Sequence, residues 1–178
     1  INSIAREQLV NLSNTIDALN ETQTTFRQQT KLDAIELVKD AICQSGAASK
    51  AKITETYAAD NPYVLANKPQ LEECFICILN NSIDALNGRN NPRISISLVS
   101  DSSYVYIEFR DNGCGIKNPR LAFHPLYSTK RGGNNFGIGL TNTQKYIKSL
   151  HGFIDIKSKP GKFTSVQIVL PLIKKQEA

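Results

Sequence analysis

The segment Asp111-Asn112-Gly113-Cys114-Gly115-Ile116 sets a carboxylate immediately before two alternating glycines. A carboxylate there can accept a hydrogen bond from an exocyclic amine, and residues without a Cβ let main chain approach a flat ring. Asp-Asn-Gly is equally ordinary turn chemistry. Earlier in the chain, Leu71, Phe75, Ile78, Leu79, Ser82 and Leu86 share one face of a helical wheel, with Cys77, Asn81 and Asp84 along its edge. The Asn81 carbonyl suits a hard cation such as Mg²⁺, which takes oxygen ligands and keeps most of its waters. Gly137-Ile138-Gly139 stands just before another helical stretch, where glycines free the first N–H groups and the helix dipole attracts an anion. Lys130 and Arg131, beside Gly132-Gly133, add positive charge nearby. Cys74 and Cys77 form a C-x-x-C with no second pair spaced for zinc, and read as buried small side chains.

Hydrophobic periodicity supplies the elements that position these groups. Ala5, Leu9, Leu12, Ile16, Leu19, Gln23 and Phe26 alternate four and three residues apart, the seam of one continuous helix of about 25 residues that pairs with another long helix. A short strand at 30–32 leads to Asp33, an N-cap, and a helix over 34–44 closed by Ser45-Gly46. Strands at 52–57 and 63–66 flank the Asp60-Asn61-Pro62 turn. A second helix starts near Pro69 and ends at Asn87-Gly88. Strands at 94–99 and 104–109 precede a long loop over 112–136, a length that marks a lid or binding loop. A third helix at 138–150, stopped by His151-Gly152, and a hairpin of 153–157 with 164–170 complete the domain. The sum is an α+β fold, a two-layer α/β sandwich with a mixed sheet of about five strands covered by three helices, plus the N-terminal long helix.

Composition narrows the function. The 178 residues carry 21 Lys and Arg against 16 Asp and Glu, with 40% hydrophobic and 21% charged residues, which excludes wholesale disorder. The basic residues are scattered without interleaved aromatics, so no nucleic-acid footprint is expected. No run of 18 apolar residues occurs, so this chain makes no membrane-spanning helix. Four irregularly spaced cysteines point to a reducing compartment, here the cytoplasm. The start at Ile1 and the lack of Met suggest a piece of a longer protein, whose parent can be membrane-anchored.

In this order and spacing the chemical motifs resemble the ATP-binding catalytic domain of sensor histidine kinases, within the wider family of gyrase, a heat-shock chaperone and the mismatch-repair ATPases. The run from Leu79 to Leu86 is similar to the N box, with Asn81 matching the Mg²⁺ asparagine and Asp84 in the same motif. Asp111 to Gly115 is similar to the first glycine box, whose aspartate holds the adenine amino group. Phe123 to Lys130 resembles the F box, and Gly137-Ile138-Gly139-Leu140 the second glycine box. The resemblance implies ATP and Mg²⁺ as ligands, with Asn81 on the metal. It implies nucleotide contacts from Asn81, Asp84, Asp111, Gly113, Gly115 and Ile116, and from Thr129, Lys130, Gly137, Gly139 and Leu140. A lid over 116–136 is implied too. Residues 1–29 resemble the second helix of a dimerisation bundle, 30–173 the catalytic domain, and 174–178 read as a polar tail.

Three departures stand out. Cys77 occupies the place of the first N-box asparagine, where gyrase-like ATPases carry a water-activating glutamate, which favours phosphotransfer over hydrolysis. Leu126 replaces a common phenylalanine, and Asn135 a common glycine. His124 and His151, the two histidines, lie outside any acceptor motif. The resemblance therefore implies transfer of the γ-phosphoryl to a histidine outside this fragment, on a helix of the same parent protein. It also implies a response regulator and a homodimer through the N-terminal helix. The alternatives are a serine kinase of the anti-sigma type and a non-catalytic nucleotide-binding or dimerisation module.

Overall fold

The computed structural model describes residues 29–124 and 138–173. The N-terminal heptad stretch, the tail at 174–178 and the site candidates Thr129, Lys130 and Gly137 lie outside the described residues. In chain order the elements are β1 (Thr30–Asp33), α1 (Ala34–Ser45), β2 (Lys52–Ala58), β3 (Tyr63–Ala66), α2 (Lys68–Ala85), β4 (Arg93–Ser100), β5 (Tyr104–Asp111), α3 (Gly139–Ser149), β6 (Phe153–Lys159) and β7 (Phe163–Pro171). Short 3₁₀ turns lie at Ala47–Ser49 and Pro119–Leu121.

The helix ends follow local chemistry. Asp33 caps α1 by accepting from the N–H groups of Ile35 and Glu36, and Gly46 ends it in the left-handed region with φ 66°. Asn67 caps α2 through the Gln70 N–H, with proline in the first turn. The sequence reading found the proline and not this cap. At the end of α3 the left-handed residue is His151, with φ 57°, rather than glycine. The His151 N–H reaches the Lys148 carbonyl and the Gly152 N–H the Ile147 carbonyl, the paired bonds of a Schellman closure. Gly152 is needed for a different reason: a Cβ there would stand 2.6 Å from the Val169 carbonyl oxygen.

Five strands form the main sheet in the order β2-β4-β5-β7-β6, with β2 and β4 parallel and the other pairs antiparallel. β1 and β3 pair separately as a two-stranded antiparallel ribbon. Thus the strands on either side of Asp60-Asn61-Pro62 belong to different sheets. The turn hands the chain from sheet edge to ribbon, with Asn61 at φ 53°.

One face of the sheet is apolar by strict alternation. Ile94, Ile96 and Leu98 of β4, Val105, Ile107 and Phe109 of β5, and Val166, Ile168 and Leu170 of β7 are all buried. The helices cover this face, with α2 contributing Leu71, Phe75, Ile78, Leu79 and Ser82, and its C-cap Leu86, as the wheel predicts. Phe75 and Phe109 stack tilted with centroids 5.5 Å apart, joining the two layers.

Candidate functional site

Period-two alternation carries Asp111 to the same side as Val105, Ile107 and Phe109, so its carboxyl faces the helix layer at the end of β5. It is only 4% exposed. One oxygen accepts from the Gly113 N–H at 2.7 Å. The Ser82 hydroxyl of α2 and the Thr164 N–H of β7, the register partner of Asp111, also donate to it. Burial pushes the Asp111 carboxyl above its ordinary range, and these donors offset part of that shift. Ser82 and Thr164 were not picked from sequence as site residues. The available signals were a hydroxyl on an otherwise apolar helix face, and a strand register that no local pattern encodes.

The glycines after Asp111 serve the protein's own packing first. A Cβ on Gly113 would stand 2.6 Å from the Ala85 carbonyl oxygen and 2.7 Å from the Asp111 carboxyl. Gly115, at φ 68°, has the Lys159 carbonyl oxygen 2.4 Å from its Cβ position. Sequence reasoning assigned these glycines to the approach of a ring; the structure adds that the end of α2 and the turn after β6 already require them. Ile116, half-buried, donates its N–H to the Ser158 hydroxyl at 2.8 Å.

Asn81 is half-buried on the edge of α2, one turn from Cys77, and its amide nitrogen lies 3.7 Å from the Cys77 sulfur. The amide oxygen of an asparagine is a hard donor of the kind that fits Mg²⁺. Asp84 is exposed on the last turn of the helix. Gly139 opens α3 against this same edge: a Cβ on it would lie 2.7 Å from the Cys77 sulfur. Ile138 takes the cap position of α3, with no side-chain capping bond among the described residues. Leu140 is half-buried against the core. Within the C-x-x-C, burial pushes the Cys74 thiol up to about 12, so it stays protonated, whereas Cys77 is half-buried rather than buried. Among the described residues no cluster of three or more His, Cys, Asp and Glu could hold a metal.

Of the expected long loop, residues 112–124 are described. Its first half turns through Pro119–Leu121 and packs down, with Ala122 buried and the Phe123 carbonyl accepting from Thr141 at 3.1 Å. His124 follows, exposed.

These contacts align along one helix. Cys77 meets the start of α3, Asn81 lies one turn on, Ser82 meets Asp111, and Ala85 meets Gly113. At 1.5 Å rise per residue this is a strip of about 12 Å. It has a buried carboxyl at one end and a helix N-terminus at the other.

Comparison with known proteins identifies the family and the fold. Residues 66–174 match the family described as histidine kinase-, DNA gyrase B- and HSP90-like ATPase. The histidine-protein kinase AtoS of Escherichia coli strain K12 is 30% identical over 149 residues, covering 82% of this chain and 24% of AtoS. The histidine kinase/phosphatase NtrB of Rhizobium leguminosarum bv. phaseoli is 25% identical, covering 94% of this chain and 47% of NtrB. The chain thus spans about a quarter to a half of these curated relatives. Among solved structures, the mycobacterial sensor histidine kinase MprB superposes with a TM-score of 0.66 at 18% identity, over 80% of this chain and 97% of that one. The catalytic domain of histidine kinase ThkA gives 0.66 at 21%, over 80% and 95%. With the matched segment running from β3 past β7, through the buried carboxyl and the α2 edge, the chain belongs to the histidine kinase-, DNA gyrase B- and HSP90-like ATPase family and carries the catalytic-domain fold of its histidine kinases.

Proposed function

We propose that this chain is the ATP·Mg²⁺-binding catalytic core of a two-component sensor histidine kinase, passing the γ-phosphoryl to a histidine outside the chain. The observation that carries the reading is the buried Asp111 carboxyl, held by Gly113 at one end of the α2 strip whose other end meets the start of α3. Such a strip suits an elongated ligand with an amine-bearing base at one end and phosphates at the other. In this reading Asp111 accepts from the adenine amino group, and Gly113 and Gly115 shape the loop beside it. Gly137, Gly139, Leu140, Thr129 and Lys130 serve the phosphate end, with Asp84 and Ile116 at the margins.

Asn81 would hold Mg²⁺, which supplies charge neutralisation on the phosphates. The protein's share is positioning: the α2 edge and the start of α3 fix the phosphate end, while Asp111 fixes the base. Cys77 at the position of a water-activating glutamate favours transfer to an acceptor over hydrolysis. Residues 1–29 are read as a helix of the dimerisation bundle, giving a homodimer, with an acceptor-histidine helix and a response regulator as partners. The relatives' names support a signalling role, and the four irregularly spaced cysteines favour the cytoplasm.

Calorimetric titration with ADP and an ATP analogue, with and without Mg²⁺, tests the reading. Micromolar, Mg²⁺-sensitive binding that Asn81→Ala loses is the expected result; unaltered Mg²⁺ dependence in Asn81→Ala removes it as ligand. Phosphate transferred to an acceptor helix should be acid-labile, as a P–N bond is. An acid-stable product would favour a serine kinase.

A further inference from the structure

Arg89 follows the turn Asn87-Gly88 after α2, and its backbone N–H is bonded to the Leu86 carbonyl. Its guanidinium donates through one nitrogen to two main-chain carbonyls, Gly113 at 2.6 Å and Gly161 at 2.7 Å. These belong to the loop after β5 and the turn between β6 and β7. The same two segments are tied by the Gly161 N–H to the Cys114 carbonyl at 2.7 Å, and the Cys114 N–H reaches the Ala85 carbonyl at 2.8 Å. The peptide between Gly113 and Cys114 is therefore held on both sides, its oxygen by Arg89 and its N–H by α2. The preceding N–H, that of Gly113, is the one that fixes an Asp111 carboxyl oxygen. Asn112, between them, is gripped by the Arg93 N–H and the Asn91 carbonyl, both at 2.8 Å.

We infer that Arg89 is a positioning residue for base recognition, locking the Gly113 peptide so that the Asp111 carboxylate is presented in one orientation. This rests on the reading of Asp111 as the acceptor for an adenine amino group. The physical basis is that a charged donor to a carbonyl is stronger than a neutral one, and a carboxylate reads a single donor only when its own rotation is fixed. Gly113 has no side chain to hold the loop by packing, so the bond from Arg89 is the side-chain constraint on that peptide, beside the main-chain bond from Cys114 to Ala85. Arg89 touches no nucleotide in this account and acts only through Gly113 and Asp111.

The test is titration of the full 178-residue chain with non-hydrolysable ATP and GTP analogues. Variants are Arg89→Ala, Arg89→Lys, Arg89→Gln, Asp111→Asn and the pair Arg89→Ala with Asp111→Asn. Arg89→Ala should weaken ATP-analogue binding by about tenfold and narrow the ATP-over-GTP ratio, the size expected for one charge-assisted bond. Arg89→Lys, which keeps a charged donor, should recover most of both. In the Asp111→Asn background the further loss should vanish. Wild-type affinity and selectivity in Arg89→Ala, or an undiminished loss in the Asp111→Asn background, would overturn the inference. If Arg89→Ala does not fold by circular dichroism, Lys and Gln carry the comparison, and equal selectivity in those two overturns it. A wild-type chain with no preference for adenine overturns the reading of Asp111 and the role of Arg89 together. Preference kept by Arg89→Ala overturns Arg89 alone.

Discussion

Asp111 is costly to the resting domain and useful to it. Burial raises its carboxyl pKa, so the folded state holds that proton more tightly than the unfolded chain. Its stabilising contribution is then complete below the unfolded pKa and is lost as pH rises through the folded one. Asp111→Asn removes this dependence: the melting temperature of the variant minus that of the wild type should grow as pH rises above the ordinary carboxylate range. A constant difference would show that the carboxyl does not titrate in the fold. The same variant should lose preference for ATP over GTP. Gly139 and Cys77 form a second coupled pair. Gly139→Ala pushes a methyl to 2.7 Å from the sulfur, so it should cost about 1–3 kcal/mol and weaken nucleotide binding. Adding Cys77→Ala should restore much of the loss in a thermal melt. Strict additivity would mean that the two do not touch.

At the scale of elements, alternation and capping were largely legible. The strand at 104–109 was read two residues short of Asp111, the wheel of α2 separated its buried face from the Cys77–Asn81 edge, and Asp33 and Gly46 marked the ends of α1. What local pattern could not encode was pairing. The adjacent strands β2 and β3 look like a hairpin, yet their hydrogen bonds go to β4 and β1. The same blindness hid Thr164, which reaches Asp111 only through the register of β5 with β7, and Arg89, whose partners lie in two distant turns. The pair His151-Gly152 was legible as the stop of α3, but not that His151 rather than the glycine takes the left-handed position. A side chain with a Cβ is strained there, so His151→Gly should raise stability by about 1 kcal/mol, measured by denaturant unfolding. An unchanged midpoint would show that the imidazole compensates through contacts of its own.

The whole molecule joins this domain to the heptad seam of residues 1–29, read as a dimerisation helix. Replacing Leu12 and Leu19 with Asp should remove any dimer, seen by light scattering, and leave nucleotide affinity unchanged. Loss of both would place the seam in the domain's own core instead. The two central strands carry a consequence of another kind. Asp111 on β5 is paired with Thr164 on β7, roughly fifty residues later in the chain. At about 5–20 residues per second of synthesis, several seconds pass between the appearance of the carboxylate and that of its partner strand. Through that interval β5 is paired with β4 along one edge, and its other edge waits for β7. The growing chain is sticky before it is competent, and the Asp111 carboxyl gains its Thr164 donor only once β7 has emerged.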